Sequence, residues 1–567
     1  MKSKLSWIKI YDSIIILLLF YFCSLPILAV VLYGVTSEGR EIGPNQIARI
    51  LSMLKNSLSI ATIVTITAVI LGVIATLTLY RVSFRGRNVM RMMMLLPLVN
   101  PAFVGSISFI MLFGRRGLIT YKLLNLNVSP YGWHGVFILQ VLVFTTLAYL
   151  IISSGVRNTD TSLEEAARNL GASESKVFFR VTLPMMMPEI SVAALMIFLA
   201  SMADFTTPLI IGGSFRTLAS DLYIQITGVY DMKMATATGI VLLVPCIIAF
   251  FLHRYISEKK RYHSDLSSHA EITYQNVPRW LKYSAISLSS LTIAIFVLNF
   301  CFIVVGAFTK NWGFDYTLTL NHLRTALDQD FNRLLKPLLN SVILSVITGF
   351  VSSLTGVLLA YRIQRRTIML PKFVDFMCLF TAAVPGILFG IGYLVTFKYS
   401  LFGIGQFVLK GTQPIILLGT GIIIYLICIA RSINFSMKAG YALLEHTDED
   451  LENAALNLGA SKTKAFFWVV LPVLKDAFVN SYIKVFSNTM TTLGAIIFLL
   501  MPSNKVIIQV IFQAITGANI GATAIMALML SMITLILILL FYLLAYGKSS
   551  IDVIRRKRDE NRITELN

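Results

Sequence analysis

Charged side chains are scarce in this sequence. Asp, Glu, Lys and Arg make up 13% of the 567 residues, whereas hydrophobic residues make up 56% and the mean hydropathy is +0.77. This composition excludes an ordinary soluble globular protein and predicts a polytopic membrane protein. The net charge of +20 does not indicate nucleic-acid binding, because the basic residues are divided among short loops. An excess of Lys and Arg in cytoplasmic loops, which orients membrane helices, explains it better.

Cysteine and histidine are also few. The five cysteines lie in or beside apolar runs without CxxC spacing, so we expect small buried side chains and neither disulfides nor a metal site: Cys23, Cys246, Cys301, Cys378 and Cys428. The six histidines have no ligand spacing, and no cluster of His, Cys or carboxylates at one depth suggests an integral-membrane enzyme. The nearest sequence to a phosphate loop, Gly547-Lys548-Ser549, has Tyr542 where the motif needs its first glycine. We therefore expect no catalytic residue and no bound cofactor in this chain.

Long apolar runs are abundant. The first follows Lys2, Lys4 and Lys9, is long enough to cross a bilayer and has no small-residue cleavage site, so we expect an uncleaved helix. Basic clusters follow the second, sixth, eighth and twelfth runs, which predicts that both termini are cytoplasmic. The twelve predicted spans are 11–34, 57–80, 92–113, 134–156, 187–211, 235–252, 282–307, 338–360, 373–398, 413–434, 474–500 and 520–546.

Two polar stretches between these spans are nearly the same sequence. Residues 163–184 read LEEAARNLGASESKVFFRVTLP, and residues 451–472 read LENAALNLGASKTKAFFWVVLP. Each predicts a short helix, a turn at Gly171 or Gly459, and a second short helix that Ser173 or Ser461 can cap. A Leu-Pro pair then marks the entry to the next apolar span.

These stretches resemble the "EAA" loop of permease subunits of bacterial ATP-binding-cassette importers. The resemblance implies an all-α polytopic fold with about twelve transmembrane helices in two parallel six-helix repeats, as in type I importers. It also implies that two copies of a separate ATPase, which carry the ATP and Mg²⁺, dock at the cytoplasmic face. By this resemblance the ATPase-coupling residues are Glu164, Glu165, Ala166, Ala167, Gly171, Leu183 and Pro184, and Glu452, Asn453, Ala454, Ala455, Gly459, Leu471 and Pro472.

The second stretch departs from the motif at one position. Asn453 stands where the motif has its glutamate, and Glu452 precedes it by one residue. This difference puts equal strength of the two docking contacts in doubt, although not their existence. We expect a substitution of Gly171 to be more damaging than the same substitution of Gly459.

The duplication extends beyond the loops, because Asn56-Ser57 and Pro101 match Asn340-Ser341 and Pro385 at one constant offset. Two halves with an even number of spans face the membrane in the same direction. The predicted organisation is a first half at 1–252 with its EAA loop at 157–186, a cytoplasmic linker at 253–281, a second half at 282–546 with its EAA loop at 435–473, and a basic cytoplasmic tail at 547–567.

Asp204 is the intramembrane carboxylate that the sequence singles out. Such residues are expensive to bury and are functional candidates, but the repeat places Thr492 at the matching position. Two interpretations stay open: a role in the substrate pathway, or a structural role as a cap or a partner between helices.

The cargo is suggested only by further resemblance. Ala203-Asp204-Phe205 through Gly213, and Met490 through Leu499, are similar to fused permeases of the ferric-iron importer family. That family implies iron delivered by an extracytoplasmic solute-binding protein to the inner membrane of a bacterium, and transport by alternating access. Relatives for 2-aminoethylphosphonate, thiamine, sugar phosphates or polyamines are alternatives, as is an ion-coupled secondary carrier, which leaves the duplicated loop unexplained.

Overall fold

The computed structural model of the chain describes residues 2–36, 42–95, 97, 104–125, 129–157, 162–261, 279–328, 334–365, 367–398, 418–445, 450–517 and 519–564. Helices dominate these residues, and the strands found among them form one small hairpin. The predicted all-α membrane fold is confirmed. Most of the predicted linker, at 262–278, lies outside the described residues.

The first half contains twelve α-helices, with π-helical turns at Phe20–Ser24, Leu118–Leu123, Phe178–Thr182 and Gln225–Val229 among its described residues. The α-helices are α1 (Lys2–Leu19), α2 (Leu25–Thr36), α3 (Pro44–Arg81), α4 (Arg87–Met93), α5 (Val104–Phe113), α6 (Trp133–Arg157), α7 (Ser162–Asn169), α8 (Glu174–Val177), α9 (Leu183–Ala203), α10 (Thr206–Ile211), α11 (Leu218–Ile224) and α12 (Met232–Arg261).

The described part of the second half repeats most of this order and adds an antiparallel hairpin of β1 (Thr309–Asn311) and β2 (Asp315–Leu318). A π-helical turn covers Phe466–Val470 and a 3₁₀ turn covers Pro502–Asn504. The α-helices are α13 (Arg279–Ala307), α14 (Asn321–Asp328), α15 (Leu335–Gln364), α16 (Pro371–Phe380), α17 (Gly386–Lys398), α18 (Ile422–Leu444), α19 (Asp450–Asn457), α20 (Lys462–Ala465), α21 (Leu471–Met490), α22 (Ile507–Thr516) and α23 (Ile520–Thr564).

Ten helices in the described residues are long and apolar enough to cross a membrane. The predicted third and ninth spans are instead divided, into α4 with α5 and α16 with α17. Pro385 explains the second break, because proline lacks an N–H and disfavours helix in the residue before it. The predicted fifth and eleventh spans also end early, since α9 stops at Ala203 and α21 stops at Met490.

The repeat is visible in matching hydrogen bonds. The hydroxyl of Ser57 accepts a bond from the backbone N–H of Leu218 at 2.9 Å, and the hydroxyl of Ser341 accepts one from Ile507 at the same distance. Leu218 and Ile507 are the first residues of α11 and α22, so each serine satisfies a free N–H at a helix start. The neighbouring Asn56 and Asn340 donate to the carbonyls of Arg216 and Lys505.

The close crossing of two core helices is also repeated. A Cβ built on Gly72 of α3 would lie 2.4 Å from the Cβ of Ala148 in α6, and a Cβ on Gly356 of α15 would lie 2.4 Å from the Cβ of Ser436 in α18. Only glycine permits so close an approach of the two helices. The two matching contacts show how the sequence of α6 aligns with that of α18. In this alignment Val143 is equivalent to Arg431.

The first helices of each half pack against the other half. Helix α2 packs on α17, and α13 packs on α3 and α5. The hydroxyl of Tyr393 in α17 donates to the carbonyl of Phe22 at 2.8 Å, and the buried carboxylate of Asp12 pairs with Arg362 at 2.6 Å. The halves are therefore interlocked.

Four of the five cysteines are buried as predicted, and Cys301 is exposed. The prediction for Cys301 is wrong because α13 turns that side chain away from the helices on which it packs. The sequence Gly547-Lys548-Ser549 lies within α23, in a helix and not in a loop.

Candidate coupling hairpins and the passage between the halves

The two EAA-like stretches fold as matching helical hairpins, which we call hairpin 1 (residues 162–182) and hairpin 2 (residues 450–470). Each consists of a two-turn helix, a glycine turn, a single helical turn and a π-helical turn that leads directly into α9 or α21. Ser461 caps α20 by accepting a bond from Lys464 at 3.3 Å, whereas Ser173 occupies the cap position without such a bond. The hairpin prediction is thus supported in both halves.

The glycines allow the chain to reverse. Gly171 has a φ of +81° and Gly459 a φ of +87°, a region that other residues rarely adopt. In both hairpins the residue after the glycine donates back to the helix: Ala172 to Ala167 at 3.1 Å, and Ala460 to Ala455 at 3.0 Å. This bond is the mark of a Schellman turn, and it satisfies a carbonyl at the helix end.

Hairpin 1 is anchored by a buried carboxylate. The side chain of Glu164 is 1% exposed, and its Oε2 lies 3.3 Å from Nη1 of Arg81, at the end of α3. The hydroxyl of Thr182 donates to Oε1 at 2.9 Å, and Arg168 approaches Oε2 at 3.6 Å. These contacts join α7, the π-helical turn and the core helix α3.

Hairpin 2 has the equivalent anchor. Oε2 of Glu452 lies 3.5 Å from Nε of Arg365, beside the end of α15, and the hydroxyl of Tyr361 donates to Oε1 at 2.8 Å. Arg365 follows Asn340 at the same distance along the chain as Arg81 follows Asn56. The glutamate one position before the motif's own glutamate is therefore the one that holds each hairpin.

The departure from the motif falls on the opposite face. Glu165 and Asn453 are both exposed and point away from the core helices. Asn453 therefore changes the outer surface of hairpin 2 and leaves its anchor intact. A sequence motif alone could not separate these roles, because adjacent glutamates look alike until the helix is oriented.

The outer face of each hairpin is apolar. Leu170 is 88% exposed and Leu458 is 89% exposed, while Leu163 and Leu451 are 55% and 54% exposed. Ala166 and Ala454 are exposed between them, and Ala167 and Ala455 are half-buried. The remaining coupling candidates open α9 and α21: Leu183, Pro184, Leu471 and Pro472. Exposed apolar patches repeated at equivalent places are typical of protein interaction sites.

Asp204 lies where α9 ends. Its Oδ1 accepts bonds from the backbone N–H groups of Thr206 and Thr207, both at 3.1 Å, and so caps α10. Its Oδ2 accepts a bond from the amide of Gln140 at 2.9 Å. Asp204 thus fills the structural role weighed for it, and it also lines the cavity described next.

A cavity of about 260 Å³ lies between the two halves. The first half contributes Asp204, Thr206 and Thr207 to its wall, and the second half contributes Arg431 and Thr491. Gly386 lies against the Arg431 guanidinium, which a Cβ at that position would meet at 2.5 Å. Sequence reasoning missed Arg431, although a lone cation inside the tenth predicted span, near its end, is itself a signal.

Four aromatic rings from both halves pack beside this cavity, on the side away from the hairpins. The ring of Phe205 lies 5.6 Å from Tyr223 and 6.3 Å from Phe512, and Tyr223 lies 6.2 Å from Phe498. We call these four residues the aromatic cluster.

Among the described residues, no group of three or more His, Cys, Asp or Glu side chains is placed to hold a metal ion. Residues 68–262 match the family of binding-protein-dependent transport system inner membrane components. The chain is 30% identical over 506 residues to the putative ferric transport system permease protein FbpB 1 of Haemophilus influenzae, covering 87% of this chain and 78% of the relative. The chain belongs to this family of inner-membrane permeases.

Other relatives support the same assignment. The permease is 29% identical over 520 residues to the ferric transport system permease protein FbpB of Actinobacillus pleuropneumoniae, covering 89% of this chain and 74% of that protein. It is 35% identical over 187 residues to the molybdenum transport system permease protein ModB of Mycobacterium tuberculosis, covering 32% of this chain and 69% of that protein. The chain is thus a permease component of an ATP-binding-cassette importer, in the inner membrane, and not an enzyme.

Proposed function

We propose that the permease moves ferric iron into the cytoplasm, after an extracytoplasmic binding protein delivers it. Two relatives that match 89% and 87% of the chain are named for ferric transport, which supports this cargo over the other small solutes considered. The binding protein would dock on the face opposite the hairpins. Both chain termini would lie with the hairpins on the cytoplasmic side, as the distribution of basic residues favours.

We further propose that one ATPase copy docks on each hairpin. The observation that carries this step is the shared construction of hairpins 1 and 2: a glutamate-arginine anchor on the inner face and two exposed leucines on the outer face. A partner groove could cover the leucines, and Glu165 and Asn453 would lie at its rim. ATP and Mg²⁺ would be bound by the ATPase and not by this chain.

The hairpins are built to transmit motion. Because Glu164 and Glu452 fix each hairpin to α3 or α15, and because each π-helical turn continues into α9 or α21, a hairpin cannot move without those helices. Helix α9 ends at Ala203, next to Asp204 of the cavity wall, and α21 ends next to Thr491. Closure of two ATPase copies on ATP would therefore separate the helices around the aromatic cluster and open the passage outward.

The proposal is tested with the whole transporter. Proteoliposomes would contain the permease and its ATPase, with ATP enclosed and the iron-loaded binding protein outside. We expect uptake of radiolabelled iron that requires ATP and stops when either partner is omitted. Uptake driven by an ion gradient in the absence of the ATPase would contradict the proposal and favour a secondary carrier.

A further inference from the structure

The passage carries positive charge on one of its two sides. Arg431 of α18 lines the cavity between the halves. Among the described residues, its guanidinium donates no hydrogen bond and no carboxylate lies within ion-pair distance, and its Nε is buried without a partner. Asp204 lines the same cavity, but its carboxylate accepts bonds from Thr206, Thr207 and Gln140 and forms no ion pair with Arg431. A buried cation without a partner is costly unless a ligand supplies the opposite charge.

Two lysines extend this charge toward the cytoplasm. Lys438 follows Arg431 by two helical turns on α18, and Lys484 precedes Thr491 by two turns on α21. Each lysine therefore lies on the same helix face as a residue of the cavity wall, about 10 Å nearer the hairpins. Both side chains are exposed although their helices cross the membrane. An ammonium group facing lipid would be costly, so these faces line a water-accessible path.

The first half has no cation at the three equivalent positions, all of which the structure describes. When the two halves are aligned by the helix crossings and by the hairpins, Val143 is equivalent to Arg431, Leu150 to Lys438 and Met196 to Lys484. The first half thus contributes Val143 and the hydrogen-bonded Asp204 to the cavity, and the second half contributes a cationic wall. A bare ferric ion would be repelled by that wall, whereas oxyanions bound to iron would be attracted to it.

We infer that the cargo crosses as an anionic complex, in which ferric iron keeps one or more oxyanion ligands and Arg431 binds one of them. The inference rests on the proposed function. Carboxylate, carbonate and phosphate groups share the required chemistry, because each can accept two parallel hydrogen bonds from a guanidinium. Lys438 and Lys484 would then guide the complex toward the cytoplasm.

The first test follows both parts of the complex. The binding protein is loaded with radiolabelled iron together with radiolabelled citrate, phosphate or carbonate, and uptake of both labels into the proteoliposomes is measured. We expect one of these anions to enter in a fixed ratio to iron. Iron that enters without any of the three would overturn the inference and leave the permease function intact.

The same experiment separates the two proposals. Entry of the labelled anion in the absence of iron would support the Arg431 site and overturn iron as the cargo. Failure of the wild-type transporter to take up either label, with ATP and both partners present, would instead contradict the proposed function.

Variants provide the second test. We expect Arg431→Gln to lower uptake of both labels by about tenfold or more, because a bidentate charged contact is lost, and Arg431→Lys to restore part of it. Lys484→Gln should lower uptake by roughly threefold, because the charge of Lys484 is more exposed to water than that of Arg431 and therefore contributes less. Lys475→Gln is the matched control, because Lys475 lies on the same helix but donates to Ala545 of α23, away from the passage.

Each variant must still co-purify with the ATPase and keep its thermal unfolding midpoint. Under those conditions, wild-type uptake by Arg431→Gln would overturn the inference. Equal losses in Lys475→Gln and Lys484→Gln would overturn the part assigned to the path below the cavity.

Discussion

At the ends of α3 and α15 the two halves of the permease make the same contact, an arginine paired with the glutamate of a hairpin. At the cavity they differ, because the first half presents Val143 where the second half presents Arg431. In the proposed transporter the two hairpins bind two copies of the same ATPase, and matching hairpins suit identical partners. The cargo meets both walls at once, and nothing in its chemistry requires the walls to match. The predictions below test this contrast.

The largest effect is expected at the hairpin glycines. Valine at Gly171 or Gly459 cannot adopt the left-handed backbone without strain, so the hairpin would lose its shape. We expect iron uptake to fall by about 100-fold or more and the ATPase to stop co-purifying, with Gly171→Val more severe than Gly459→Val. Gly43→Val is the control, since Gly43 has equal space around it but an ordinary φ of −74°. Normal uptake in both hairpin variants would contradict the claim that the two hairpins share the coupling role.

A large effect is also expected at Asp204. If its role is to cap α10, Asp204→Asn should keep uptake within about threefold, because asparagine also accepts bonds at a helix start. Asp204→Ala should lose roughly tenfold or more, since the N–H groups of Thr206 and Thr207 would lose their acceptor. Uptake assays with the two variants distinguish the roles, because a severe defect in Asp204→Asn would favour a direct contact with the cargo.

A moderate effect distinguishes the two anchors. Arg81→Gln leaves Glu164 with Arg168 and Thr182 in a site where the carboxylate is 1% exposed, whereas Glu452 is 24% exposed. Loss of the arginine partner should destabilise the hairpin more at Glu164, because its charge is more buried than that of Glu452. We expect the affinity for the ATPase to fall roughly tenfold in Arg81→Gln and about threefold in Arg365→Gln, measured by titration of detergent-purified permease. The reverse order would contradict the assignment of Glu164 as the stronger anchor.

The smallest effect is expected on the outer faces. Asn453→Glu restores the motif's glutamate at an exposed position and should strengthen ATPase binding by at most about threefold. Glu165→Asn should weaken it by a similar factor. These two changes make the hairpins more alike, so the difference between Gly171→Val and Gly459→Val should narrow in either background. An unchanged difference would mean that it arises elsewhere than at this position.

The sequence was sufficient to predict the features that depend on local pattern. Apolar runs predicted the helices, and the repeated glycine predicted both hairpin turns. The broken helices were harder, because the run across Pro385 continues from Asp375 to Lys398 without a charged residue to mark the break. Helix continuity there is decided by one proline, which composition over a window does not detect.

The roles of individual site residues depended on orientation. Glu164 and Glu165 are neighbours in the sequence, and only the packing of α7 on α3 separates the anchor from the exposed residue. Arg431 could have been found from its position in a span, but its lack of a partner depends on residues far apart in the chain. The roles of these residues therefore depend on packing between distant parts of the chain, which a local sequence pattern does not reveal.

The most direct measurement of the central claim is site-specific cross-linking from the hairpins. Leu170→Cys and Leu458→Cys would be introduced separately, with Cys301 replaced by Ser because it is the cysteine that lies exposed in the described structure. The assembled transporter would then be treated with a short thiol-to-amine cross-linker during turnover. The account predicts that each position links to the ATPase. Iron uptake with no link from either hairpin to the ATPase would contradict it.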